Sequence, residues 1–200
     1  MKVLFLTHNK FIEERLISFF KGIIDLDFSG KAPDQLHEYI ENSNITISFG
    51  YRFIIPPTLI DEFDTKLINL HISLLPWNKG SDPNFWSFML NTPKGVSLHF
   101  IDNGLDTGNI ILQEELFFDE DKETFQSTYT ALINQGVELI QRLINDKDNL
   151  MKSAKPQPSE LGSLHKRSEI QRFLNHYNID SEFWNQNIKE FKNMYKFPYE

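Results

Sequence analysis

The chain has 200 residues, room for one generous domain or for a domain with a small appendage, and a chain of that length buries roughly 70% of its unfolded surface without disulfides or structural metal. With 40% hydrophobic and 24% charged residues it has the composition of a globular protein, and the absence of cysteine excludes disulfide frameworks, zinc–thiolate sites, iron–sulfur clusters and thiol nucleophiles. Twenty basic residues against 28 acidic ones give a net charge of −8, which argues against broad nucleic-acid binding but leaves room for a local basic pocket. No apolar run reaches the roughly 20 residues of a spanning helix, and the opening MKVLFLTHNK turns polar too soon for a signal peptide, so no membrane span and a cytoplasmic location are expected.

Val3 to Leu6 is an apolar run ending in Thr7-His8-Asn9, a buried strand followed by a loop. Phe11, Ile12, Leu16, Phe19 and Phe20 follow a helical period, with Glu13, Glu14 and Arg15 facing outward. A short strand near Leu26 to Phe28 precedes a helix from about Pro33 to Asn42, where proline and Asp34 suit the first turn. Ile45 to Phe49 is the next strand, Pro56 and Pro57 start a short helix through Ile60, and Leu67 to Ile72 is again a strand. This alternation predicts an α/β fold: a mostly parallel sheet with helices on both faces and its ligand site beyond the carboxyl ends of the strands.

Val96 to Ile101 alternates and reads as a strand, with Ile110 to Phe118 as its partner and a turn with two glycines and two aspartates between them. The strongest helix runs from about Lys122 to Ile144. Lys155-Pro156-Gln157-Pro158 reads as an extended crossing segment, and two aromatic-rich helical patterns follow, near Ser168–Tyr177 and Ser181–Tyr195. The expected division is a main domain over residues 1–150 and a short helical carboxyl-terminal extension, residues 151–200, packing on it. The aromatic tail (Phe183, Trp184, Phe191, Tyr195) could instead hide a homodimer interface; the oligomeric state is open.

The chemistry centres on Asn69-Leu70-His71 and on Asp106, 35 residues further on. Alternation puts Asn69 and His71 on one strand face, and Asp106 in its Gly-flanked turn could approach the same place from another strand. An amide and an imidazole able to stabilise an oxyanion, with a carboxylate to fix the imidazole, form a set suited to acyl transfer to an amine. Taken alone, a histidine on such a strand is more often a satisfied structural residue, and Asn and Asp near turns are commonly turn formers.

The wider pattern, Asn69-x-His71-x-Ser73-Leu74-Leu75-Pro76, then Gly80, then Val96-Ser97-Leu98-His99, then Asp102-x-Gly104-Leu105-Asp106-Thr107-Gly108, resembles the folate-dependent formyltransferases, well over residues 45–145 and in outline before them. The resemblance implies a Rossmann-like catalytic domain, N10-formyltetrahydrofolate as formyl donor, no catalytic metal, and Asn69, His71 and Asp106 at the catalytic positions. It also implies that Gly50, Tyr51, Arg52, Phe53, Ile54 and Ile55 flank and read the pterin, with Asp102, Gly104 and Leu105 as the other wall. Core packing is the plain reading of Phe53, Ile54 and Ile55, and Gly50 and Gly104 serve equally as turn glycines.

For the acceptor, departures from relatives carry the argument. Glycinamide ribonucleotide formyltransferases have a Gly- and Ser-rich phosphate loop after the first strand; here Thr7-His8-Asn9-Lys10-Phe11 has no glycine. Methionyl-tRNA formyltransferases carry a further barrel domain and a basic surface, for which this chain is too short and too acidic. What remains is the branch that formylates amino sugars, often nucleotide-linked, for surface glycans. In that reading Trp77, Lys79 and Asn84, the basic spot His165-Lys166-Arg167, and His8 and Lys10 are substrate-binding candidates; each has a structural alternative, as core, cap neighbour or solvated cation. His37, His99 and His176 are assigned to structure or surface. The runner-up acceptor is glycinamide ribonucleotide, and the rival from another class is a noncatalytic folate-binding relative.

Overall fold

The computed structural model describes residues 1–158 and 161–197. The chain divides into two compact units: Met1–His71, Leu98–Leu112 and Gly136–Gln157 form the first, and Ile72–Ser97, Gln113–Gln135 and Pro158–Glu200 the second.

The first unit opens with β1 (Lys2–Leu6), α1 (Lys10–Phe20), β2 (Asp25–Ser29), a 3-10 turn at Pro33–Gln35 leading into α2 (His37–Glu41), β3 (Ile45–Ser48), α3 (Pro57–Phe63) and β4 (Leu67–His71). The second takes over with β5 (Lys79–Gly80) and α4 (Pro83–Met89). β6 (Gly95–Phe100), β7 (Ile110–Glu115) and α5 (Phe125–Asn145) give residues to both. α6 (Lys147–Lys152) belongs to the first unit, and β8 (Leu164–His165), α7 (Arg167–Tyr177) and α8 (Ile188–Met194) to the second.

The sheet runs in the order β2-β1-β3-β4-β6-β7. Its first four strands are parallel, with Leu4 opposite Asp27 and Thr46, and Ser48 opposite Asn69. β6 and β7 form an antiparallel hairpin, closed in the first unit by the Phe100 N–H to the Asn109 carbonyl at 3.0 Å. The sheet is thus mixed and mostly parallel, as the α/β reading expects. Alternation along β1 sends Leu4 and Leu6 into a cluster with Leu36, Ile40, Leu59 and Phe63, while Phe5 stacks on Phe28 at 5.6 Å and on Phe20 at 6.5 Å. The Asn9 side chain caps α1, accepting from the N–H groups of Phe11 and Ile12 at 3.0 and 3.4 Å.

The second unit is held by aromatic packing. Phe85, fully buried on α4, meets Phe173, Phe183 and Phe191 at ring separations of 5.4, 5.8 and 6.1 Å, and Phe125 at 5.5 Å. Phe183 and Phe191 of the tail are therefore buried within their own chain, with Trp184 and Tyr195 partly buried against the same cluster. β5 and β8 pair in parallel, Lys79 with Leu164 and Gly80 with His165. Gly80 has φ +85°, and a Cβ there would lie 2.3 Å from the His165 carbonyl, so only glycine fits this strand pair.

Several boundaries depart from the pattern-based expectation: α3 runs on to Phe63 rather than Ile60, and β7 stops at Glu115 rather than Phe118. The helix expected from Pro33 is a 3-10 turn followed by five helical residues. α5 starts at Phe125 rather than Lys122, because the Thr124 hydroxyl accepts from the Ser127 N–H at 3.0 Å and caps the helix there. The Ser181–Tyr195 pattern is broken into a 3-10 turn, Ser181–Asn185, and α8, since the Asn187 side chain accepts from the Glu190 N–H at 3.0 Å and starts a new helix.

Replacing Phe191, which has no exposed surface, with alanine should cost about 3–5 kcal/mol of stability in urea unfolding; a loss below ~1 kcal/mol would place the ring outside the core. Ending the chain at Pro158 strips Phe85 and Phe125 of the rings of Phe173, Phe183 and Phe191, and should abolish a cooperative melt of the second unit by circular dichroism.

Candidate active site

The side chains of interest converge in the first unit. β4 carries Asn69 and His71 two residues apart, on one face, with His71 buried. The adjacent strand β6 brings in His99, 2% exposed. Beyond β6 the turn 102–108 folds on itself: the Asp102 carboxylate accepts from the Gly104 N–H at 3.1 Å and the Thr107 hydroxyl at 2.6 Å. Gln157 clamps the turn by donating to the carbonyls of Asp106 and Gly108 at 2.8 and 3.0 Å. A Cβ on Gly108 would sit 1.9 Å from the Phe100 carbonyl, so the turn closes only over glycine. Asp106 takes a left-handed backbone, φ +54°, which aspartate tolerates better than most residues.

This turn points the Asp106 carboxylate, with a tenth of its side chain exposed, at the other three side chains. The Asn69 amide donates to Asp106 Oδ1 at 3.0 Å and lies 3.2 Å from His99 Nε2. His99 Nε2 is 3.5 Å from Asp106 Oδ1, and His71 Nδ1 is 3.7 Å from Oδ2, within ion-pair reach but beyond a hydrogen bond. His99 Nδ1 sits 2.7 Å from the Phe100 carbonyl; a carbonyl only accepts, so Nδ1 carries a proton. In neutral His99 Nε2 is then an acceptor for the Asn69 amide, whose two hydrogens are divided between His99 and Asp106. Sequence reasoning carried Val96-Ser97-Leu98-His99 in the family pattern but assigned His99 to structure or surface; the pairing of β6 beside β4 is what brings it to Asn69.

The residues expected around a pterin also lie in the first unit. The backbone N–H of Arg52 donates to His8 Nδ1 at 3.2 Å, the His8 N–H donates to the Gly50 carbonyl at 3.1 Å, and the rings of His8, Tyr51 and Phe53 meet at 5.1 to 5.5 Å. His8, predicted for the acceptor, is thus tied to the segment predicted for the pterin. Tyr51 donates to the Lys31 carbonyl, and burial, with the Asp34 carboxylate adding to it, pushes its hydroxyl up to about 12, so it stays a neutral donor. Ile55 belongs to the core, whereas Phe53, Ile54 and Leu105 are exposed at 46%, 82% and 49%. Exposed apolar side chains on two loops, beside the exposed residues Gly50, Arg52, Asp102 and Gly104, suit the faces of a flat heterocycle. Lys10 is exposed, 4.0 Å from Glu14.

The other acceptor candidates lie in the second unit. Pairing of β5 with β8 sets Lys79 beside the segment 164–165, with the Lys79 N–H donating to the Ser163 carbonyl at 2.9 Å. Lys166 and Arg167 are exposed. His165 is buried, stacked on Trp86 at 4.5 Å and 3.1 Å from Glu169 through Nδ1. Asn84 is buried, donating to the Phe125 carbonyl at 2.9 Å and accepting from Thr128 Oγ1 at 3.2 Å. Trp77 is partly buried. Of the histidines set aside, His37 pairs with Glu62 at 2.8 Å and His176 meets Tyr177 edge-on. Among the described residues no group of His, Asp or Glu is spaced to hold a metal ion, and no helix is long and apolar enough to cross a membrane.

Residues 12–144 match the formyl transferase family. The chain is 36% identical to the formyltransferase PseJ of Anoxybacillus kamchatkensis, whose crystal structure holds UDP-4,6-dideoxy-4-formamido-L-AltNAc and tetrahydrofolate; the match covers 95% of this chain and 97% of that one, with a TM-score of 0.76. A 4-N formyltransferase from Francisella tularensis matches at 22% identity over 99% of this chain and 89% of that one, TM-score 0.71, a likeness of fold. The methionyl-tRNA formyltransferases of Finegoldia magna and Thermodesulfovibrio yellowstonii are 30% and 36% identical over 62% and 60% of this chain. Of those two proteins the match spans only 42% and 39% of the length. With a family match over more than half its length and a solved relative matched almost end to end, the chain belongs to the formyl transferase family.

Proposed function

We propose that the protein transfers the formyl group of N10-formyltetrahydrofolate to the amine of a nucleotide-linked amino sugar, in the cytoplasm and toward a surface glycan. The observation that carries this reading is the convergence of Asn69, His71 and Asp106 in one unit, with His99 holding Asn69 from behind. The donor supplies an activated formyl carbon. His71 and Asn69 then stabilise the charge that develops on the formyl oxygen as the amine attacks. Asp106 takes the proton released by the amine and returns it to N10 as the bond between N10 and the formyl carbon breaks. Asn69 has to turn one of its two engaged hydrogens toward the oxyanion, an adjustment of a kind common between free and loaded sites.

Two observations favour a sugar over an initiator tRNA. PseJ is matched along nearly its whole length, whereas the methionyl-tRNA enzymes are matched over about two fifths of theirs. The charge of −8 also suits a small ligand better than a polyanion. Against glycinamide ribonucleotide stands the loop after β1, where Asn9 spends its side chain on capping α1 and no glycine offers a phosphate cradle.

Tetrahydrofolate release, measured across a panel of nucleotide-linked amino sugars and glycinamide ribonucleotide, should show amine-dependent turnover with a sugar. His71→Ala should lower kcat about 100- to 1,000-fold and leave the KM for N10-formyltetrahydrofolate unchanged. Turnover with glycinamide ribonucleotide alone would refute the acceptor assignment, and equal turnover by His71→Ala would refute the catalytic one.

A further inference from the structure

The second unit contains a cavity of about 340 Å³ whose wall includes Asp82, Asn84, Gln126, Tyr129 and Trp184. Ile72, which directly follows His71 in the chain, also lines it. Asp82 is unusual in its setting. It sits at the N-cap position of α4 with a left-handed backbone, φ +56°, yet its side chain caps nothing. No hydrogen bond or ion pair to a described residue holds its carboxylate, although Arg167 lies near enough for its charge to act on it. The neighbouring polar residue is the opposite case: both ends of the Asn84 amide are consumed by Phe125 and Thr128, which ties α4 to the start of α5 and gives the cavity a fixed floor. Trp184 is half-buried, its ring held at 4.7 Å by Phe183 and at 6.0 Å by Phe125. Gln126 is exposed.

A carboxylate with unfilled acceptor capacity, an open amide, and Trp and Tyr rings in one concave site suit a ligand rich in hydroxyl donors with an apolar ring face. An ionised Asp82 would repel a phosphate placed beside it. We infer that this cavity takes the hexose ring of the acceptor, with ring hydroxyls on Asp82 and Gln126 and the apolar face on Trp184. This rests on the amino-sugar reading above and extends it to residues outside the sequence-predicted set. The carboxylate also costs the fold something. Burial raises its pKa above the ordinary 3.8, with Arg167 opposing, so the folded state resists its ionisation. Stability is therefore lost as pH rises through the folded value, and Asp82→Asn should melt higher than the native protein at neutral pH, the gap closing toward acid.

The test is steady-state kinetics with UDP-4-amino-4,6-dideoxy-L-AltNAc as acceptor, alongside calorimetric titration of the same sugar and of UDP alone without folate. Asp82→Asn and Trp184→Ala should each raise the KM and the dissociation constant of the amino sugar roughly ten- to hundredfold, as expected for one lost charge-assisted hydrogen bond or one lost ring face. The KM for N10-formyltetrahydrofolate and the affinity for UDP should not move. An unchanged amino-sugar KM in Asp82→Asn, with the native protein turning over normally, would overturn the cavity assignment alone. A matching loss of UDP affinity would overturn the hexose ring in favour of the nucleotide. Absence of both turnover and binding in the native protein would overturn the amino-sugar reading and this inference with it.

Discussion

The arrangement of the first unit depends on one buried carboxylate. Asp106 has to be brought to Asn69 and the two imidazoles by a turn that no ordinary chain segment would make, because buried acceptors without donors cost more than the turn does. Each part of the hairpin serves that end. Asp102 closes the turn onto Gly104 and Thr107, Gln157 reaches back from beyond α6 to hold the carbonyls of Asp106 and Gly108, and Gly108 lets the chain pass against Phe100. The long helix α5 lies against β4 at Gly136, where any Cβ would strike Leu70 at 2.4 Å. The strand that carries Asn69 and His71 is therefore packed from behind as tightly as the turn is hydrogen-bonded from above.

His99 shows how such a cluster is more than three residues. Its proton on Nδ1 is committed to the Phe100 carbonyl, which leaves Nε2 facing the Asn69 amide and fixes which way that amide points. The imidazole of His71 lies at ion-pair distance from Asp106. Two histidines with similar burial thus differ in their partners: His99 sets the direction of the Asn69 amide, and His71 faces the Asp106 carboxylate.

What could be read from the residues follows the range of the interactions involved. The period-two relation of Asn69 and His71 is local, and so is the Asx turn at Asp102; both were visible. The α/β alternation of the first 72 residues was visible because β1, β3 and β4 are almost wholly buried runs and α1 and α3 each bury one face. His99 was not, because its role depends on a neighbour strand 30 residues away. β5 and β8 are two residues each, too short for any periodicity, and they exist because Gly80 admits the His165 carbonyl. The break between the 3-10 turn at 181–185 and α8 was legible but overridden: Asn187 followed by Glu190 is a cap signal, and the run of aromatic residues across it masked the stop.

The two units also separate two kinds of requirement. All of the residues expected to handle the folate, and all four of the polar cluster, lie in the first, inside the span matched by the family. β8, α7, α8 and Trp184 lie after residue 144, outside that span, and they share a core with α4 through Phe85 and Phe173. The aromatic core of the second unit is closed by its own rings, and Asn84 is held there by Phe125 and Thr128.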